Sequence, residues 1–191
     1  MKQQKKSLMT LKKGNWKFIV DDEDRENEGD LVCAADKVNS DIVNFMAKHG
    51  RGLICLTLTK EKCSVLGLKQ MTDSNESSNK TAFTVSIEAK EGITTGISAQ
   101  DRATTIFAAV NPDATKKDIA QPGHVFPLKQ WRRCSSKSRS YRSFLRSCEL
   151  AGYSPSGVIC EIMNDDGSMA RRDDLIEFAK KHNLKIGLLL I

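Results

Sequence analysis

The chain has 191 residues with a formal net charge of +6 and 39% hydrophobic residues, enough for one domain with a buried core. No run of 18 apolar residues occurs, which excludes a conventional helical membrane span, and the lysine-rich stretch from Met1 to Lys13 lacks the apolar core of a secretory signal. A cytoplasmic protein is therefore expected, with its six cysteines as reduced thiols, several of them buried in strands, because no Cys-x-x-Cys pair or zinc spacing is present.

In chain order, residues 7–13 read as a short helix stopped by Gly14, and Lys17 to Val20 as a strand. That strand delivers the run from Asp21 to Asp30, in which seven of ten residues are acidic. Such runs are usually solvated loops. This one is bracketed by Val20 and Leu31, and in extended chain Glu26, Glu28 and Asp30 share a face. Carboxylates held together repel unless a cation compensates, and oxygen ligands suit Mg²⁺. Leu31 to Val38 reads as a second strand. Ser40 is a candidate cap for a helix presenting Ile42, Val43, Phe45 and Met46, ended by His49-Gly50. Leu53 to Leu58 is a buried strand, Lys60 to Leu66 a short helix stopped by Gly67, and 72–80 a Ser/Asn-rich loop. Thr81 to Glu88 alternates as a half-buried strand should. Ser98 and Asp101 form a capping-box pattern for a helix from Gln100 to Val110, ended by Asn111-Pro112.

Gly123 to Pro127 reads as a turn entering a short strand. His124 in it, taken alone, reads as structural more often than functional. Ser156 to Met163 is a strand in which Glu161 interrupts an apolar run; a carboxylate there is costly unless paired or functional, which makes Glu161 a candidate acid or base. Asp173-Asp174 opens a helix with Leu175, Ile176, Phe178 and Ala179 inward, and Lys185 to Ile191 is a last strand. Strands and helices mix without strict alternation, so the fold class is α+β, a mixed sheet with surrounding helices.

Six blocks carry a resemblance. They are Asp21 to Leu31; Asn44-Phe45-Met46 with Arg51 to Leu56; Thr81 to Ile87; Thr94 to Ala99 with Asp101-Arg102; Pro122 to Leu128; and Gly157 to Arg171. In this order, over about 11–128 and 149–187, the chain resembles 3,4-dihydroxy-2-butanone 4-phosphate synthases of riboflavin biosynthesis. The resemblance implies one such domain over 1–191, truncated at the C-terminus before any fused GTP cyclohydrolase II domain, and a homodimer with the site near the subunit interface. It implies conversion of the sugar phosphate D-ribulose 5-phosphate to L-3,4-dihydroxy-2-butanone 4-phosphate and formate with Mg²⁺ (or Mn²⁺). Carried over residue by residue, Glu26 is the metal ligand; Arg25, Glu26 and Asp30 contact substrate; His124 and Glu161 are the acid/base pair, Glu161 also touching substrate. Glu28, Cys55 and Thr95 are neighbours. The loop 72–80 is of a kind that closes near substrate in the family. No nucleic-acid or membrane partner is implied.

After Lys129 the pattern departs. The family continues with a glycine pair, an arginine and Gly-His-Thr-Glu-Ala, whose His is a second metal ligand. Here residues 131–147 hold neither Gly nor His, and Lys129, Arg132, Arg133, Lys137, Arg139, Arg142 and Arg146 account for the whole positive charge excess. Permitted codons for 131–148, read one base later, encode Gly-Gly-Val-Ala-Arg-Gln-Arg-Ala-Gly-His-Thr-Glu-Ala-Ser-Leu-Asp-Leu. Gly187 to Ile191 read from the third base of its first codon gives Thr-Ile-Ala-Asp-Leu, the family's continuation. Two reading-frame disturbances are thus expected. The second ligand would fall at about Ser140–Tyr141. Phe144 and Leu145 offer only a fragment of an apolar face, so a mobile or badly packed segment is expected. Beside the working synthase stand two other readings: a catalytically impaired family member, favoured for this polypeptide as written, and a basic nucleic-acid-binding module, which lacks an interleaved aromatic platform.

Overall fold

The computed structural model describes residues 17–20, 28–130, 137–184 and 186–188. The expected helix over 7–13, the acidic residues 21–27 and Cys134 lie outside them. Within them the strands are β1 (Lys17–Val20), β2 (Gly29–Ala34), β3 (Cys55–Leu58), β4 (Ile87–Ala89), β5 (Ile119–Lys129), β6 (Gly157–Glu161) and β7 (Ile186–Leu188). The helices are α1 (Ser40–Phe45), α2 (Lys60–Val65), α3 (Ala99–Val110), α4 (Lys137–Leu150) and α5 (Arg172–Lys181). One sheet runs in the order β4-β5-β3-β6-β2-β1-β7. β3 pairs parallel with β5 and antiparallel with β6, and β1 pairs parallel with β7, so the sheet is mixed, as the α+β reading requires.

Period-two alternation divides this sheet into two faces. Leu31, Cys33, Leu56, Leu58, Val125, Val158 and Cys160 point into the larger core, shared with residues of α1, α2, α3 and α5. Val32, Ala34, Cys55 and Ile159 point the other way, into a smaller core closed by Phe144, Leu145 and Cys148 of α4, with Phe126 and Leu128 packed against it. The cysteines fit this division. Cys33, Cys55, Cys63, Cys148 and Cys160 are buried free thiols. Burial, with the nearby Asp36 charge second, pushes the Cys33 thiol up to about 12.

Several boundaries differ from the sequence reading, each for a local reason. Asn39 caps α1, its Oδ1 accepting from Ile42 N at 2.9 Å, so Ser40 is the first helical residue rather than the cap. β2 ends at Ala34 and a 3₁₀ turn over Ala35–Lys37 follows, so the expected strand to Val38 is cut short. β3 begins only at Cys55, leaving Leu53 41% exposed. The expected strand from Thr81 to Glu88 is reduced to Ile87–Ala89 with isolated bridges Gln70↔Thr84 and Phe83↔Leu128, because the segment divides its hydrogen bonds between two partners. Thr84 N donates to Pro127 O, while Val85 N donates to Lys69 O, both at 3.0 Å. His124 lies inside the eleven-residue β5 rather than in a turn before a short strand.

For the substituted segment a mobile or badly packed stretch was expected; residues 131–136 lie outside those described, whereas 137–150 form a fourteen-residue helix in which Phe144 and Leu145 are each 3% exposed and Cys148 is fully buried. Positions 144, 145 and 148 lie on one helical stripe. The sheet is shaped to receive it. A Cβ on Gly157 would lie 2.5 Å from Phe144 Cε1, so only glycine leaves room for the ring. Among the described side chains, Phe144, Leu145 and Cys148 fill this seat. Replacing Phe144 with Ala is expected to cost about 3 kcal/mol in chemical denaturation; a loosely packed helix would show a change near zero.

Candidate active site

The ladder registers bring distant residues to one end of the sheet. Asp30 on β2 is the direct partner of Glu161 on β6. Cys55 on β3 pairs with Ile159 on one side and Phe126 on the other. Two residues on from these partners stand Glu161 and His124. Counting by twos, Asp30, Cys55, Glu161 and His124 all belong to the face that α4 covers. β3, which begins at Cys55, lies between the strands that carry His124 and Glu161. Glu161 and Asp30 are both half-buried.

The segment after α1 seals the back of this group. The helix ends in a π turn, Met46–Gly50, and Arg51 takes φ 67°. Arg51 donates to Met163 O at 2.7 Å and pairs with Asp165. A Cβ on Gly52 would overlap the Glu161 carbonyl oxygen and come within 2.8 Å of its nitrogen. The close approach of Gly52 backbone to Glu161 is the physical demand behind Arg51-Gly52. Glu28 lies 3.7 Å from the Arg171 guanidinium, tying the start of β2 to α5.

Electrostatics follow the same geometry. Burial first, then the Glu161 charge, and after it Cys160 and Asp30, push the Cys55 thiol well above its ordinary range. Cys55 is thus a neutral neighbour rather than a thiolate nucleophile. Cys160, behind the sheet, is raised to about 12 by burial and then by Glu161. His124 faces Glu88, its Nδ1 in hydrogen-bond contact with Oε1. Glu88 was absent from the sequence-derived site. Its place in the alternating segment Ser86-Ile87-Glu88-Ala89, one carboxylate among small and apolar residues, was the available signal.

The loop Thr94-Thr95-Gly96 is set by Asp101. Its carboxylate accepts from Thr94 N at 3.1 Å, Thr94 Oγ1 at 2.7 Å and Gly96 N at 3.0 Å. Ser98 caps α3 by accepting from Asp101 N at 3.0 Å. The reciprocal half of the expected capping box is missing because the Asp101 side chain is spent on the loop. The 72–80 loop closes on itself, Asn75 Nδ2 donating to Thr81 O at 2.8 Å.

Arg25 and Glu26 lie outside the described residues. Among the described residues no three His, Cys, Asp or Glu side chains gather closely enough to hold a metal by themselves. What they offer is the adjacent pair of carboxylates at Asp30 and Glu161. Their negative charge suits the neighbourhood of a hard cation such as Mg²⁺, which takes one or two carboxylates and fills its shell with water and substrate oxygens.

Residues 5–189 match the family described as 3,4-dihydroxy-2-butanone 4-phosphate synthase. The chain belongs to this family. It is 55% identical over 179 residues to the 3,4-dihydroxy-2-butanone 4-phosphate synthase of Pseudomonas syringae pv. tomato, across 92% of this chain and 48% of that one. It is 46% identical over 183 residues to the synthase of Wigglesworthia glossinidia brevipalpis, across 95% of this chain and 86% of that shorter relative. The chain thus spans about half the length of the first relative and most of the second. Among solved structures, a 3,4-dihydroxy-2-butanone 4-phosphate synthase in complex with two magnesium ions superposes with a TM-score of 0.87 at 36% identity, covering 96% of this chain and 91% of that one. The mixed α+β single-domain architecture is therefore that of the synthases.

The Thr94 hydroxyl, first among its hydrogen bonds, holds the Asp101 carboxyl below the usual carboxylate range. A lowered folded pKa adds stability that is present above the unfolded value and lost as pH falls through the folded one. An Asp101→Asn chain is expected to melt below the parent near neutral pH, the gap closing as pH falls below about 4. Thermal melts across that range check it; a gap constant with pH would contradict it.

Proposed function

We propose that this chain converts D-ribulose 5-phosphate to L-3,4-dihydroxy-2-butanone 4-phosphate and formate. The observation that carries the reading is the convergence of Asp30, Cys55, His124 and Glu161 at one end of one sheet face, from four strands far apart in sequence. Family membership and the magnesium-bound structural neighbour support it. The reaction needs no external oxidant: five carbons become four plus one, and water that leaves in one step returns in another.

In this reading His124 and Glu161 exchange protons with the sugar. A base removes a proton beside the carbonyl to give the enediol, and an acid assists loss of hydroxyl before the skeleton rearranges and one carbon departs as formate. Asp30, with Arg25 and Glu26 from the acidic segment ahead of β2, binds and orients the substrate, and Thr95 sits in the loop pinned by Asp101. Glu26 is the ligand of a Mg²⁺ or Mn²⁺ ion, which when bound supplies Lewis-acid stabilisation of charge on substrate oxygens. We further infer a homodimer acting in the cytoplasm. Among the described residues no helix is long and apolar enough to cross a membrane.

The substituted segment enters here. α4 covers the site face, and the family's second ligand, a histidine, would fall at about Ser140–Tyr141. Reading-frame disturbance remains our account of residues 131–147. The test is formate release from ribulose 5-phosphate with Mg²⁺, comparing this chain with one in which Gly-Gly-Val through Ser-Leu-Asp-Leu replaces 131–147. Turnover in both is expected if α4 serves only to cover the site; turnover in the restored chain alone assigns the missing histidine its role. In whichever chain is active, His124→Gln and Glu161→Gln are each expected to lower kcat by about 10²–10⁴-fold. Unchanged rates in both would overturn the proposal.

A further inference from the structure

The contact between His124 and Glu88 is built from several independent parts of the chain. Gly96 has φ 90°, and a Cβ on it would fall onto Glu88 Oε1 and within 2.7 Å of His124 Nδ1. A Cβ on Gly123, the residue before His124, would overlap the Ile87 carbonyl and Glu88 Cγ. Gly123 N donates to Ser86 Oγ at 3.1 Å, fixing it beside the β4 segment. Between β4 and β5 the register shifts: Ile87 pairs with Val125, but Glu88 pairs with Ala120. The residues between Ala120 and Val125, His124 among them, have no counterpart on β4 and bend around Glu88. Asp101, 4% exposed, pins Thr94 and Gly96 over the pair. Two glycines, a register shift and a buried carboxylate thus converge on one hydrogen bond.

The two partners are unequally exposed. The Glu88 side chain is 19% exposed and the His124 ring 44%. An approaching sugar meets the ring, while the carboxylate lies behind it. An ionised carboxylate has only acceptor atoms, so a neutral imidazole facing it must carry its proton on Nδ1. The lone pair is then on Nε2.

Resting on the reading of His124 as an acid/base group, we propose that Glu88 is its positioning residue. Glu88 accepts the Nδ1–H hydrogen bond, fixes the ring plane and tautomer, and leaves Nε2 as the atom that takes and returns the substrate proton. When Nε2 gains a proton, the Glu88 charge stabilises the imidazolium. Nothing is consumed: one proton moves from carbon to Nε2 and back to an oxygen or carbon of the substrate.

The chain contains three histidines, so its imidazole nitrogens can be resolved by ¹⁵N–¹H correlation spectroscopy, with His124→Gln identifying the His124 signals. Recorded at a pH high enough to deprotonate imidazolium, the expected spectrum shows the His124 proton on Nδ1 and Nε2 bare. In Glu88→Gln the side-chain amide can donate as readily as accept, and a mixture of tautomers is expected. This readout needs no turnover. In the formate assay, run with both chains described above, Glu88→Gln is expected to lower kcat about ten- to hundredfold with little change in KM, and Glu88→Asp to recover part of the loss. A merely structural role would leave the tautomer unchanged. An Nε2-protonated ring in the parent chain, or a Glu88→Gln chain with parental tautomer and kcat, overturns the proposal. A His124→Gln chain with parental kcat overturns the acid/base reading itself, and is thereby distinguished from failure of Glu88 alone.

Discussion

The antiparallel register of β2 on β6 is the constraint on which the site depends. With Asp30 opposite Glu161, Leu31 opposite Cys160 and Val32 opposite Ile159, every acidic side chain near the end of this pair lies on the α4 face and every large apolar one has a core to enter. A slip of one residue would turn Glu161 into the larger core and Cys160 out of it, exchanging polar and apolar positions along the whole strand. The burial of Leu31, Val32, Val158, Ile159 and Cys160 opposes any such slip. Hydrophobic packing, by fixing register, also fixes where two carboxylates stand.

The second constraint is close backbone approach. Gly52 against Glu161, Gly96 and Gly123 around Glu88 and His124, and Gly157 beneath Phe144 each occupy a position where a methyl group would collide. Three of the four lie beside the residues that carry the chemistry. The site is assembled less by long side chains reaching inward than by strands and loops brought unusually near one another.

Much of this was legible in the residues. Glu161 stood out because a carboxylate in Val-Ile-Cys-Glu-Ile-Met has no cheap place in a sheet, and the structure puts it at a strand end where it is half-buried beside Asp30. The alternation in β2 and β6, the Ser98 cap and the helix from Asp173 onward were written locally. The sequence could not show which carboxylate faces His124, because Glu88 is 36 residues away and meets it only through a register shift between β4 and β5. Asp101 was read as half of a capping box since spacing reports proximity to Ser98 and says nothing of the loop at Thr94. Thr81 to Glu88 alternates like a strand, yet its backbone partners are divided between 69–71 and β5, a tertiary circumstance that alternation does not encode.

α4 was misjudged for a different reason. Apolar residues are few along the helix, but among its described side chains Phe144, Leu145 and Cys148 meet the sheet together. A change in reading frame that kept Phe144, Leu145 and Cys148 would still fill the seat above Gly157, whatever it did elsewhere.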